Sequence, residues 1–146
     1  MRYLVFLVAL IAGCAVAPAP QQAPAPVVEP APRASAPSGN VAVAGLVQSA
    51  RSDTAAGRLA NAAATLERAL RIEPRNPRLW QELARVRLRQ GEYAQTESVA
   101  ARSNSWAGGD NALRAENWRL IAQAREARGD AEGARVALET ASRIGR

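Results

Sequence analysis

The sequence predicts an all-α fold of stacked antiparallel helix pairs, held behind a long proline-rich leader. Three observations carry this. Prolines crowd into the first part of the chain: seven of the nine lie before Val41, and alanine, leucine and arginine take over after it. Two stretches, "RLWQELARVRLRQGEY" (78–93) and "ENWRLIAQAREARGDA" (116–131), align without a gap, so that Trp80 matches Trp118, Leu83 matches Ile121, Ala84 matches Ala122 and Gly91 matches Gly129. Finally, Gly57, Gly91 and Gly129 each stand between two helical patterns, where a residue that accepts the left-handed conformation ends a helix.

The first element is an export signal over residues 1–13. Met1-Arg2-Tyr3 is followed by an apolar run from Leu4 to Ala12. A run of about nine residues is too short for a bilayer, which needs about 20, and fits a secretory signal. Its end, Leu10-Ile11-Ala12-Gly13-Cys14, resembles the lipobox of bacterial lipoproteins. By that resemblance the chain is cut before Cys14, whose sulfur and new amino group are acylated. Cys14 is the sole cysteine and has no disulfide partner. Each acyl chain adds about 0.8 kcal/mol per buried methylene, and several together give a stable membrane anchor. In the lipoprotein class an aspartate after the cysteine retains the protein in the inner membrane. The residue here is Ala15, which implies the outer membrane, on its periplasmic face.

Residues 14–40 follow as a lipidated cysteine and a tether, "AVAPAPQQAPAPVVEPAPRASAPSGN" after Cys14. Proline locks φ and lacks a donor, so neither helix nor sheet is expected. Alternating Ala-Pro favours extended polyproline II. At about 3.1 Å per residue the reach is at most about 80 Å. Its expected role is distance.

Residues 41–146 carry the helices, expected near 41–55, 58–73, 77–90, 92–105, 110–128 and 130–144. Asn76-Pro77 reads as N-cap and first helical residue. Asp110 and Asp130 read as N-caps of the helices that follow them. Trp80, Leu83, Ala84 and Arg87 recur on one helical face. Trp80-x2-Leu83-Ala84 and Trp118-x2-Ile121-Ala122, with Ala62-x3-Leu66, Ala69 and Pro74, and Ala134-x3-Leu138 and Ala141, resemble the tetratricopeptide repeat, whose period is about 34 residues. The resemblance implies three repeats, 43–76, 77–110 and 115–146, in a short right-handed solenoid. About four extra residues separate the second and third, expected in or near "SWAGGD". The open C-terminal end either has its own polar outer face, from Arg135, Glu139 and Arg143, or meets a partner.

No catalytic constellation is visible. The chain has no histidine, its cysteine is assigned to lipid, and its acids are scattered, with Glu82 standing alone. "AGGD" (107–110) lacks the lysine and preceding strand of a phosphate loop. No enzyme activity, cofactor or metal is therefore expected. The net charge is +6, one less once Arg2 leaves. Such a charge would suit nucleic acid, but an exported protein meets little of it. Acidic protein surfaces, anionic lipid and anionic glycan remain.

In the repeat family the first helix of each pair lines a concave groove. The resemblance places there Val47, Arg51 and Thr54 from the first repeat, and Arg78, Gln81, Arg85, Leu88 and Arg89 from the second. The third gives Glu116, Arg119, Gln123, Glu126 and Ala127. Arginine offers five donors in a planar fork suited to carboxylates. Arg51, Arg78, Arg85, Arg89 and Arg119, with Gln81 and Gln123, are thus the candidate contacts to an acidic partner, unless they form only a solvated face. Trp106 lies outside the repeat pattern and either packs under a turn or anchors a partner.

The architecture, with "LARVRLRQGEYAQTES" and "NWRLIAQAREARGD" in particular, resembles the LpoP-type outer-membrane lipoproteins of pseudomonads. That resemblance implies a partner, a bifunctional class A penicillin-binding protein, and a role: activation of peptidoglycan synthesis by protein contact. A pilotin or assembly scaffold for a secretin or another outer-membrane complex is the alternative.

Overall fold

The computed structural model describes residues 39–146. The expected signal peptide, Cys14 and nearly all of the expected tether lie outside the described residues. Within them the order is α1 (Gly39–Ala55), α2 (Leu59–Ile72), α3 (Pro77–Arg89), α4 (Tyr93–Trp106), α5 (Asn111–Ala127) and α6 (Ala131–Ile144). Each helix packs on the next, and α3 also touches α5. This is an all-α helical-repeat fold of three pairs. Its first helix starts at Gly39, slightly before the expected boundary at Val41.

The turn inside each pair is the same device three times. Gly57, Gly91 and Gly129 have φ of 75°, 76° and 83°. At each, the following N–H reaches back to a carbonyl in the last turn of the helix: Arg58 to Asp53 (2.8 Å), Glu92 to Arg87 (3.0 Å) and Asp130 to Arg125 (2.9 Å). The glycine N–H bonds Thr54, Leu88 and Glu126 in turn, at 3.2, 3.1 and 2.9 Å. This double closure satisfies carbonyls that the helix end leaves open.

Side-chain caps start α3, α5 and α6, whereas Arg58 and Glu92 make no such bond ahead of α2 and α4. The Asn76 side chain accepts from Arg78 N–H at 3.0 Å, with Pro77 at the first helical position. Asp110 accepts from Leu113 N–H at 3.0 Å and Asp130 from Gly133 N–H at 2.8 Å.

The extra residues of the third repeat directly follow "SWAGGD" and are helical rather than part of the connection. α5 has 17 residues against 13 in α3, while α2, α4 and α6 have 14 each. The insertion is one added helical turn, Asn111 to Arg114, at the start of α5. Four residues are close to the 3.6 of a turn. The apolar face therefore keeps its direction, and Trp118, Ile121 and Ala122 still follow the pattern of Trp80, Leu83 and Ala84.

The interior is alanine-rich and forms two joined clusters. Leu66, Leu70, Leu79, Leu83 and Val86 fill the first, between α1, α2 and α3. Leu120 and Ile121, with Ala84, Ala100, Ala122, Ala134 and Ala137, fill the second. Val99 packs against both. Alanines let the backbones approach, and the leucines fill the space between them. At the C-terminal end, Arg135 pairs with Glu132 and Glu139 on the outside of α6. Val136 and Leu138 are exposed beside them, so that outer face is mixed rather than purely polar.

Candidate functional site

The first helices of the three pairs border a groove of about 620 Å³. Its floor is apolar, from Val47, Ala50, Leu66, Val86, Leu88 and Leu120, and its rim is charged. α1 contributes Arg51 and Thr54, α3 contributes Glu82, Arg85 and Arg89, and α5 contributes Glu116 and Gln123.

The rim charges form a ladder that crosses all three pairs. Arg51 meets Glu82 at 2.7 Å. Arg85 lies between Glu82 (3.8 Å) and Glu116 (3.7 Å). Arg119 meets Glu116 at 3.1 Å. Four arginines expected to await an acidic partner therefore already have carboxylates, since Arg78 also meets Asp110 at 3.2 Å. Glu82, read as a lone acid in the sequence, bridges Arg51 and Arg85 in the ladder. It shares a helical face with Arg78, Arg85 and Arg89, and that spacing was the available signal. Arg89 lines the groove and is exposed. Among the described residues it has no ion-pair partner.

These pairs are weak locks. Arg51 and Arg119 keep 62% and 50% of their side-chain surface in water. Ion pairs of this kind contribute about 0–1 kcal/mol each. A partner carboxylate can replace Glu82 or Glu116 on an arginine at little expense. The floor supplies the apolar area, and Arg89 supplies a cation with free donors.

Gln81 does not face the groove. It is 8% exposed, and its amide donates to Asn117 Oδ1 at 3.1 Å. Asn117, wholly buried, donates to Ser103 Oγ at 2.7 Å and to Asn104 Oδ1 at 2.9 Å. The Ser103 hydroxyl donates to the Pro77 carbonyl at 2.7 Å. This closed network ties α3, α4 and α5 together and turns the expected contact Gln81 into a support for the groove wall. Gln123 is exposed on the rim. Outside the groove, Arg87 joins α3 to Glu67 of α2 (2.7 Å) and Arg125 joins α5 to Glu97 of α4 (2.9 Å). Successive pairs are thus clamped by arginines at equivalent positions, each on a carboxylate at a different place in the preceding helix.

Trp106 closes α4 with 39% of its surface exposed and Arg75 over its ring. Among the described residues, no group of three or more histidines, cysteines or acids is placed to hold a metal.

Comparison with known proteins agrees with this geometry. Residues 53–115 match the tetratricopeptide repeat family. No curated protein matches the chain. Among solved structures, the globular C-terminal domain of P. aeruginosa LpoP is similar, at 49% identity and a TM-score of 0.67. The match covers 68% of this chain and 94% of that domain. With that identity over nearly all of the solved domain, the chain belongs to the LpoP family of tetratricopeptide-repeat proteins.

Proposed function

We propose that this protein is an outer-membrane lipoprotein that binds a bifunctional class A penicillin-binding protein and activates it in peptidoglycan synthesis. The observation that carries the reading is the likeness to the LpoP domain across almost its entire length. Activation is what the LpoP resemblance implies. The groove supplies a means of contact, with an apolar floor, exchangeable ion pairs and, on its rim, Arg89, which has no ion-pair partner among the described residues. In this reading Arg51, Arg78, Arg85, Arg89, Arg119 and Gln123 meet the partner, and Gln81 holds the wall behind them.

The remaining parts follow from the same reading. Residues 1–13 direct export, acylated Cys14 anchors the protein in the outer membrane, and residues 15–40 span part of the periplasm. The domain brings no reacting group, so it acts by binding the active conformation of the synthase more tightly than the inactive one. A ligand shifts an equilibrium only by such a difference in affinity. No nucleic acid or cofactor takes part.

The test is a titration of a purified class A synthase with the acylated chain in detergent. A complex forms, and glycan polymerisation or peptide crosslinking rises. If neither a complex nor a rate change is seen, the proposal is wrong. Mass spectrometry of the native protein tests the anchor separately: an unacylated N-terminus removes it.

A further inference from the structure

A second charged and aromatic surface lies away from the groove. The groove uses the C-terminal half of α3, from Glu82 to Arg89. The second surface gathers at the other end of that helix, where the α2–α3 connection meets the last turn of α4. The Arg75 guanidinium lies 5.2 Å from the centre of the Trp106 ring. Arg102, one turn before Trp106 on α4, lies 5.7 Å from the centre of the Trp80 ring. Ile72, which ends α2 just before Arg75, is 49% exposed.

The arrangement is held in place from beneath. The Trp80 indole N–H donates to the Pro74 carbonyl at 2.9 Å. Ser103 fastens α4 to Pro77 at 2.7 Å. The connection carrying Arg75 is therefore pinned on both sides. Among the described residues, neither Arg75 nor Arg102 has an ion-pair partner. Stacking on an indole face uses the plane of the guanidinium and leaves its N–H edges free. Both cations are oriented in advance, and among the described residues neither guanidinium donates a hydrogen bond. Arg71 adds a third unpaired charge at the end of α2.

We propose that Trp106, Ile72, Arg75 and Arg102 form a second protein-contact surface, which receives a patch of the partner that sets carboxylates beside aliphatic side chains. Tryptophan and arginine are the residue types that dominate interface energies when held rigid. Charge complementarity calls for an acidic occupant. An arginine lies over one face of each indole and Trp80 is packed against the core, so the surface offers guanidinium edges beside limited bare ring, which suits carboxylates more than a sugar. The inference rests on the synthase reading given above and adds a second point of attachment on the same partner. Two attachments on one rigid body raise affinity beyond either alone.

The experiment measures binding of the full acylated chain, in detergent, to the purified class A synthase. Five forms are compared: wild type, Trp106→Ala, Arg75→Glu, Arg75→Lys and the groove variant Arg89→Glu. Circular dichroism and a thermal melt accompany each. Arg75 is exposed and caps no helix, so Arg75→Glu keeps its fold even if Trp106→Ala loosens α4. We expect Arg75→Glu and Trp106→Ala each to weaken binding about tenfold with unchanged helicity, and Arg75→Lys to fall between. If wild type binds and Arg75→Glu binds equally well, the second surface is refuted while the synthase reading stands. If wild type does not bind at all, both fall. The same variants are mixed with isolated peptidoglycan and with phosphatidylglycerol vesicles. Binding there that depends on Trp106, with synthase binding unaffected, assigns the surface to wall or lipid and overturns the proposal.

Discussion

Asn117 on α5 donates to Ser103 on α4 at 2.7 Å, and both residues are 0% exposed. The bond is the centre of a polar network inside an apolar stack. Every buried side-chain polar atom among the described residues has a partner. Such a network is stable only while complete, because a buried donor or acceptor left unmatched costs about 1–3 kcal/mol. Asn117→Ala takes the 3.1 Å acceptor from Gln81, leaving it the Leu113 carbonyl at 3.5 Å, and alters the bonding of Ser103 and Asn104. We expect a loss of about 2–4 kcal/mol, measured by urea unfolding. Because α3 and α5 carry the groove, synthase binding should weaken even in the fraction that remains folded.

Leu66 is 2% exposed and lies in the first apolar cluster beneath the groove floor. Leu66→Ala removes its buried methyl groups and leaves a cavity. The expected loss is about 2–5 kcal/mol, again by urea unfolding. The alanines around it have no side chain long enough to fill the gap, which favours the upper part of that range.

Two glycines respond to alanine in opposite directions. Gly91 has φ of 76°, a conformation that costs an L-residue about 1–2 kcal/mol. Gly91→Ala is therefore destabilising by about that amount. Gly45 lies within α1, and a Cβ there meets nothing within 4 Å. Gly45→Ala is stabilising by up to about 1 kcal/mol, the difference in helix propensity. Thermal melts of the two variants should move apart.

The outer face of α6 gives a pH dependence of known sign. Arg135 hydrogen-bonds Glu132 and adds its charge, which together lower the Glu132 pKa below its ordinary value of 4.5. A carboxylate with a lowered folded pKa adds stability that is present above the unfolded value. That stability is lost as pH falls through the folded value. The group is exposed, so the effect is small and local to the C-terminal helix. The protection of α6 amides, taken relative to the intrinsic exchange rate at each pH, should fall between neutral pH and pH of about 3 more in wild type than in Glu132→Gln. An equal fall in both would contradict the assignment.

Much of this fold was readable before any coordinates, and the reasons are physical. The helices and turns were legible because the interior is built from alanine and leucine at helical spacing, and because three turns need the same glycine conformation. The extra turn of α5 was not. Four inserted residues preserve the apolar face whether they form a loop or a turn, so the pattern of Trp118 and Ile121 looks the same. The arginines of the groove were found from the repeat pattern, but their pairing was not. Glu82 is three residues from Arg85 on the same helix, but Glu116 and Arg51 join them only when α5 and α1 lie beside α3. Gln81 was misplaced for a related reason. Its inward turn is set by Asn117, a polar residue where the preceding repeat has Leu79, and only the stacked helices bring the two together. Trp106 shows the opposite case: its departure from the repeat pattern already marked it, and its exposure beside Arg75 gives that departure a use.

The groove is the part of the proposal most open to direct test. The measurement is synthase activity with the acylated chain and with its Arg85→Glu, Arg89→Glu variant, at equal concentration and confirmed helicity. Reversing these two charges breaks the ladder at Glu82 and Glu116 and removes the one rim cation without a carboxylate. We expect wild type to raise the polymerisation or crosslinking rate and the variant to lose most of that rise, with more variant restoring part of it. A folded variant that activates as strongly as wild type, at every concentration, would contradict contact through the groove.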